Sequence, residues 1–382
     1  MEYVNLSDIC KINMGQSPES TSYNSDKQGV PFYQGNADFG ALYPNPRIWC
    51  SKPIKLAKEN DILISVRAPV GALNFSKEEC CIGRGLAAIT LVSNDFLIEF
   101  IYWSLRTGVK ELQSKSTGST FKSINKKVLE EVRIPKISLK DQEGIIRNIT
   151  LLTNILTKYE QETVFLDELV KARFVEMFGD PNIEFKYSSV KFNDLVARMT
   201  KGPFGSDMKK DLFVPKGEDT YKVYIQINAI QKNQSLGEYY ISKEYFDRKV
   251  SRFELFPNDY IITCDGTLGK YLKLDENMEK GVISPSLLRL TLQNDKINDK
   301  YFENIWDFYM LGLMKKEARN ACLVHLPSAK KIGEISIPVP PLELQNQFAS
   351  FVEEIDKSRS RIQKSLEASQ ELFDSLMQEY FG

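Results

Sequence analysis

The sequence predicts an α/β or α+β fold in two copies, each a globular domain followed by a long helix. Three observations carry that expectation. The chain has 382 residues, room for two ordinary domains. Segments about 200 residues apart match in the same order. Two stretches, 141–178 and 342–380, place apolar residues at helical intervals. The parts divide as a first domain at 1–135, a first helix within 136–182, a second domain at 183–338 and a second helix within 339–382.

Taken in order, the first domain holds β-prone runs such as DILISV and AAITLV, broken by glycine and proline, and the helical stretch FLIEFIYWSLRTGVKEL. Its segment DILISVRAPVG (61–71) corresponds to DYIITCDGTLG (259–269) at an offset of 198. In both, an aspartate (Asp61, Asp259) reads as a turn residue before a strand that ends at a glycine. VPFYQGNADF (30–39) matches YKVYIQINAI more loosely, with Gln34 over Gln226 at an offset of 192. VRIPKISLKDQEGI (132–145) corresponds to ISIPVPPLELQNQF (335–348) at an offset of 203. Here the prolines favour extended backbone and mark the hand-over from domain to helix. Gln142 and Gln345 stand where the helices open.

In the first helix the apolar line runs through Ile145, Ile149, Leu152, Leu156, Tyr159, Thr163, Leu166, Leu169 and Phe174. In the second it runs through Leu344, Phe348, Phe351, Ile355, Ile362, Leu366, Leu372, Phe373 and Leu376. A helix of about 38 residues is about 57 Å long, too long to hide against one small domain. Repeat symmetry therefore predicts that the two pack antiparallel as a coiled-coil spacer about an approximate two-fold axis. Two helices cover only part of each other, so Phe165, Phe174, Phe178, Phe373 and Phe381 are expected to meet partner helices.

Composition narrows the function classes. The formal charge is −1 and 42% of residues are hydrophobic. With a mean hydropathy of −0.31, disorder and a membrane span are poor readings. The absence of a basic-then-apolar start points to the cytoplasm. Six cysteines form no CxxC pair, and the single His325, between apolar neighbours in CLVHLP, reads as structural. No metal site and no catalytic residue is expected. The glycine-rich pieces RAPVG, IGRG, STGST, KGPFGS and CDGTLG fit no phosphate loop and read as turns. NADF (36–39) resembles the tetrapeptide of amino-methyltransferases only superficially, and the second copy has NAIQ.

Charge is nevertheless segregated. Residues 106–133 contain seven basic and three acidic side chains, and 315–331 contain five and one, a local +4 in each copy. Recurrence in both copies predicts a nucleic-acid face. Lys115, Lys122, Lys126 and Lys127, with Lys315, Lys316, Arg319 and Lys330, are the candidates for the DNA backbone. Gln34, Asn36, Arg67 and Arg84, with Lys209, Gln226, Asn228 and Lys270, stand in or beside predicted turns and are the candidates for reading base edges. Tyr33, Tyr43 and Tyr224 either pack against sugar or base or belong to the core. A duplicated helical scaffold whose domains bind protein remains the alternative.

The order VNLSDICKINMGQSP or VKFNDLVARMTKGPFGS, then DILIS…G or DYIIT…G, then IP…L…Q and a long helix resembles the specificity subunit of type I restriction-modification enzymes. The resemblance covers essentially the whole chain. It implies two target-recognition domains on a spacer and no catalytic centre in this chain. It also implies double-stranded DNA with an asymmetric bipartite target, and two modification subunits that use S-adenosylmethionine to methylate adenine. Restriction subunits that use ATP and Mg to translocate and cut DNA complete the implied assembly.

Overall fold

In the computed structural model, residues 2–116, 122–184, 186–232, 237–319 and 325–382 are described, without the side chains of Asn228 and 317–319. The side-chain candidates Arg319 and Asn228 therefore lie outside the described residues. The chain divides into two compact units, Met1–Gln161 with Gln363–Gly382, and Glu162–Ile362. Each predicted long helix is one element, Leu139–Phe178 and Leu342–Phe381, with its two halves in different units.

Within unit 1, strands Cys10–Met14, Leu86–Leu91, Ile62–Ser65 and Leu73–Phe75 form an antiparallel sheet in that order. A second sheet of five short strands contains a parallel pair, Val30–Tyr33 beside Cys80–Ile82. The strand Glu2–Asn5 closes the domain by pairing antiparallel with Arg133–Lys136. Unit 2 repeats this plan. Val196–Lys201, Leu287–Leu292, Tyr260–Thr263 and Tyr271–Lys273 form the antiparallel sheet, Thr220–Tyr224 lies parallel to Gly281–Ile283, and Ser189–Lys191 pairs with Ser336–Pro338. The mixed α/β character expected from the sequence is thus present twice.

The matched segments owe their likeness to backbone duties. Asp61 and Asp259 are buried, and each accepts the amide of the residue three before it, Lys58 at 2.8 Å and Phe256 at 2.9 Å. Gly71 and Gly269 have φ of +94° and +74°, and an added Cβ would sit 2.7 Å from Val109 or 2.3 Å from Leu311. Gln142 and Gln345 are fully buried. Gln142 accepts from Leu97 N and donates to the carbonyls of Asp95 and Ile137, and Gln345 accepts from Asn298 N and donates to those of Lys296 and Pro340. The helix start in each copy is therefore tied to the same loop of its domain.

Within each unit the helical segments run antiparallel. In unit 1, Asn148 Nδ2 donates to the Tyr380 hydroxyl at 3.2 Å, and Ile149 and Met377 join the domain core. In unit 2, Arg359 pairs with Asp167 at 2.7 Å, and Val170, Phe348 and Val352 enter the core. The buried line departs from expectation at two points: Val170 is buried where Leu169 was expected and Leu169 is 36% exposed, while Leu372 is 50% exposed and Met377 is buried. Beyond Leu166 the pattern advances by fours, through Val170 and Phe174 to Phe178, so the stripe rotates away from Leu169.

A polar cluster in unit 2 offers a stability test. Lys222, whose side chain is 19% exposed, meets Glu238 at 2.5 Å and Glu279 at 2.9 Å, and the Tyr240 hydroxyl donates to both carboxylates. Lys216, then Lys222 and Tyr240, hold the Glu279 carboxyl down at about 2. A carboxylate depressed on folding stabilises above its ordinary range near 4.5, and that stability fades as pH falls toward 2. Because Glu279 is 38% exposed, solvent screening reduces its contribution to about 1 kcal/mol. Glu279→Gln is expected to lower urea stability by about that amount at pH 7. The gap to wild type should narrow as pH is taken from 5 to 3; a gap that widens over that range would contradict the assignment.

Candidate nucleic-acid interface

Unit 1 gathers all four of its expected base readers. Gln34, Asn36, Arg67 and Arg84 line one open cleft of about 210 Å³ together with Ser17, Gly35, Ala68 and Gly85. The local sequence explains why. The strand Val30–Tyr33 ends at Gln34, and Asp38, one turn on, accepts the amides of Gln34 at 2.8 Å and Gly35 at 3.4 Å. Asp38 also binds the Arg47 guanidinium. That is the work of the NADF aspartate: it folds the loop that presents Gln34 and Asn36.

Arg84 comes to the same place through IGRG. Gly83 N donates to Tyr33 O at 2.8 Å and Gly85 N to Gln34 O at 3.1 Å. An added Cβ on Gly85 would lie 2.3 Å from Gln34 O, so only glycine allows this approach. Arg84 N donates to Ser17 Oγ at 3.3 Å. Arg67 bridges Ser123, and Ala68 N donates to Lys122 O at 3.0 Å, which sets Lys122 beside the cleft. Arg67, Arg84 and Lys122 are exposed, and none has an ion-pair partner among the described residues. Two donor-only guanidiniums flanked by two amides can address the N7 and O6 of guanine and the N6 and N7 of adenine.

The rest of the basic segment is quieter. Lys115 pairs with Glu111 at 2.6 Å, Lys126 with Glu130 at 3.2 Å and Lys127 with Glu131 at 3.8 Å, each one helical turn apart. Exposed pairs of this kind are weak, and because the local +4 already counts these three glutamates, it is carried by the other basic residues, Arg106, Lys110, Lys122 and Arg133. Lys315, Lys316 and Lys330 are exposed in unit 2.

The candidates of unit 2 are less concentrated. Gln226 Nε2 donates to Thr267 Oγ1 at 3.0 Å, and Gln231 Nε2 reaches the same oxygen at 3.4 Å. Lys270 is exposed three residues beyond Thr267, and Lys209 is exposed in a separate loop. The register also differs from the alignment of Gln34 with Gln226. Tyr33 O accepts from Gly83 N as Tyr224 O accepts from Ser284 N, so Gln34 corresponds to Ile225. His325 has a carboxylate beside it after all, since Nδ1 meets Asp265 Oδ1. Their separation of 60 positions hid that pair in the sequence. Ser17, Asp38, Arg47, Thr267 and Gln231 were likewise not singled out, because their roles depend on loop closure.

Tyr33 and Tyr224 are buried, whereas Tyr43 is 42% exposed. Of the five phenylalanines expected at a partner face, Phe174 and Phe178 are corrections. Both are buried within unit 2, with Phe178 5.0 Å from the Tyr301 ring and 5.4 Å from Phe348. Phe373 and Phe381 pack on unit 1 against Trp103 and Phe100. Phe165 is 62% exposed, beside Val164 at 59%.

Comparison with known proteins adds the following. The family model described as type I restriction modification DNA specificity domain matches residues 1–164 and 205–370. The putative type I restriction enzyme MjaX specificity subunit of Methanocaldococcus jannaschii is 40% identical over 163 residues, which cover 42% of this chain and 38% of that protein. The MjaVIII specificity subunit of the same organism is 28% identical over 169 residues, 40% of this chain and 37% of that protein. The matched stretch thus spans less than two-fifths of each of these relatives. The crystal structure of the type I restriction-modification system S subunit from M. genitalium aligns over 100% of this chain and 96% of that one, with TM-score 0.58 and 14% identity, and so shares the fold.

Proposed function

The chain belongs to the type I restriction-modification DNA specificity family, and on that premise we propose that it is the non-catalytic, DNA-reading subunit of a cytoplasmic type I complex. Each globular domain, 1–135 and 183–338, reads one half of an asymmetric bipartite duplex target. The long helices set the spacing between halves and dock two modification subunits, which carry S-adenosylmethionine and methylate adenine. Restriction subunits bring ATP and Mg. The observation that carries this reading is the unit 1 cleft, where two arginines and two amides converge beside Lys122. Divergence at the corresponding positions of unit 2 supports two different half-sites. The exposed Val164 and Phe165 support a helix-borne partner face.

Phosphate contacts place a protein on DNA, and base-edge contacts choose the sequence. Lys122→Ala is accordingly expected to weaken binding about equally on all duplexes and to reduce the slope of log affinity against log salt by about 1. The measurement is duplex binding by the full chain with a modification subunit across a salt series. Unchanged affinity and slope would remove Lys122 from the DNA face. Failure of any duplex to bind in that complex would favour a protein-binding scaffold instead.

A further inference from the structure

Resting on the DNA-reading function above, we propose that the position of Arg67 in unit 1 and its counterpart in unit 2 read base edges with opposite hydrogen-bond polarity, and that His325, oriented by Asp265, is the acceptor that does so in unit 2. The correspondence of positions comes from backbone bonds. Arg67 bridges Ser123 as Asp265 bridges His325. On either side, Ile124 N donates to Val66 O at 3.0 Å and Leu326 N to Cys264 O at 2.8 Å. Val66 N donates to Gly85 O and Cys264 N to Ser286 O, both at 2.8 Å. Asp265 therefore stands in the place of Arg67, His325 in the place of Ser123, and Pro285 in the place of Arg84.

Both arginines of the unit 1 cleft are thus absent from unit 2, replaced by an acid and an imino acid. A guanidinium can only donate, which suits the paired acceptors N7 and O6 of guanine. The unit 2 site is built the other way. An ionised Asp265 can only accept, so the Nδ1 of His325 must be the donor in their contact. In the neutral ring that leaves Nε2 as an acceptor, with its direction fixed by the carboxylate behind it. The His325 side chain is 47% exposed, open to a partner.

The surroundings agree. The turn that carries Asp265 also carries Gly266 and Thr267, and an added Cβ on Gly266 would lie 3.8 Å from Gln226 Nε2. Gln226 and Gln231 both direct their NH2 groups to Thr267 Oγ1, so their donor capacity is partly used while their carbonyl oxygens keep acceptor capacity. In the major groove an acceptor is matched by the exocyclic amino group of adenine N6 or cytosine N4. His325 accordingly selects an amino-bearing base at one position of the unit 2 half-site, and Asp265 is its positioning residue.

The test uses the full chain with a modification subunit and duplexes carrying each base in turn at every position of the half-site that is insensitive to Arg67→Ala. In His325→Ala, about tenfold of discrimination should disappear at a single position whose preferred base is adenine or cytosine, a loss within the usual range for one base contact. Preferences elsewhere should stay as in wild type. His325→Gln, whose amide oxygen can accept, should restore part of that preference, and Asp265→Ala should weaken it at the same position. A loss centred on guanine, a loss spread over all positions, or unchanged preference in His325→Ala would each overturn the proposal. A wild-type complex with no sequence preference at all would instead overturn the function on which it rests.

Discussion

Replacing Gln142 by alanine is expected to cost unit 1 about 3 kcal/mol, because it removes three hydrogen bonds from a fully buried amide to part-buried backbone groups, each bond worth about 1 kcal/mol net. The side chain has no exposed surface, and its amide closes the carbonyls of Asp95 and Ile137 and the amide of Leu97. These bonds join three parts of the chain: the loop before helix Ile98–Thr107, the residue after the closing strand and the first turn of the long helix. Gln345→Ala should do the same in unit 2, where Asn298, Lys296 and Pro340 are the partners. Chemical denaturation with probes in each unit checks both, and each substitution should shift mainly the transition of its own unit. Glutamate, with no amide donor, should rescue neither. A loss below about 0.5 kcal/mol, typical of an exposed residue, would show that the glutamines do not anchor the helices.

The second large effect falls on recognition. In Arg67→Ala/Arg84→Ala, specific binding is expected to fall at least tenfold, since a good bidentate contact to guanine discriminates by about 1–3 kcal/mol. The two arginines line the same cleft, so the double substitution need not equal the sum of the singles. Both side chains are exposed and have no ion-pair partner among the described residues, so the fold should tolerate their removal. Competition between duplexes that differ only in one half is the appropriate readout. Discrimination should be lost in the half read by unit 1 and kept in the other; equal loss in both halves would mean that these arginines bind phosphate.

Much of this was legible in the sequence because repetition marks backbone duties. Asp61 with Asp259, Gly71 with Gly269 and Gln142 with Gln345 recur since the fold needs a turn acceptor, a positive φ and a buried amide at those points twice over. Gln34, Asn36, Arg67 and Arg84 were nameable from their turns, and loop closure placed them in one cleft. What stayed hidden has physical reasons. A run of lysines does not announce that Glu111, Glu130 and Glu131 lie one helical turn from its members. An apolar stripe does not say which phenylalanines face a domain. Phe174 and Phe178 were expected outward, yet they close the unit 2 core beside Tyr301. The pairing of His325 with Asp265 required the bridge between two distant segments. Asp38, read only as part of a superficial motif, proved to be the loop's organiser because its carboxylate reaches the amides of Gln34 and Gly35.

The central claim is that two divergent domains read two different half-sites. It is tested most directly by mapping adenine methylation genome-wide after co-expression of the chain with a modification subunit, alongside a chimera in which residues 1–135 come from a relative of different specificity. The account predicts one asymmetric bipartite motif for the native chain, and in the chimera a change confined to one half with the other half and the spacing retained. Methylation without a bipartite motif, or a chimera that alters both halves together, would contradict it.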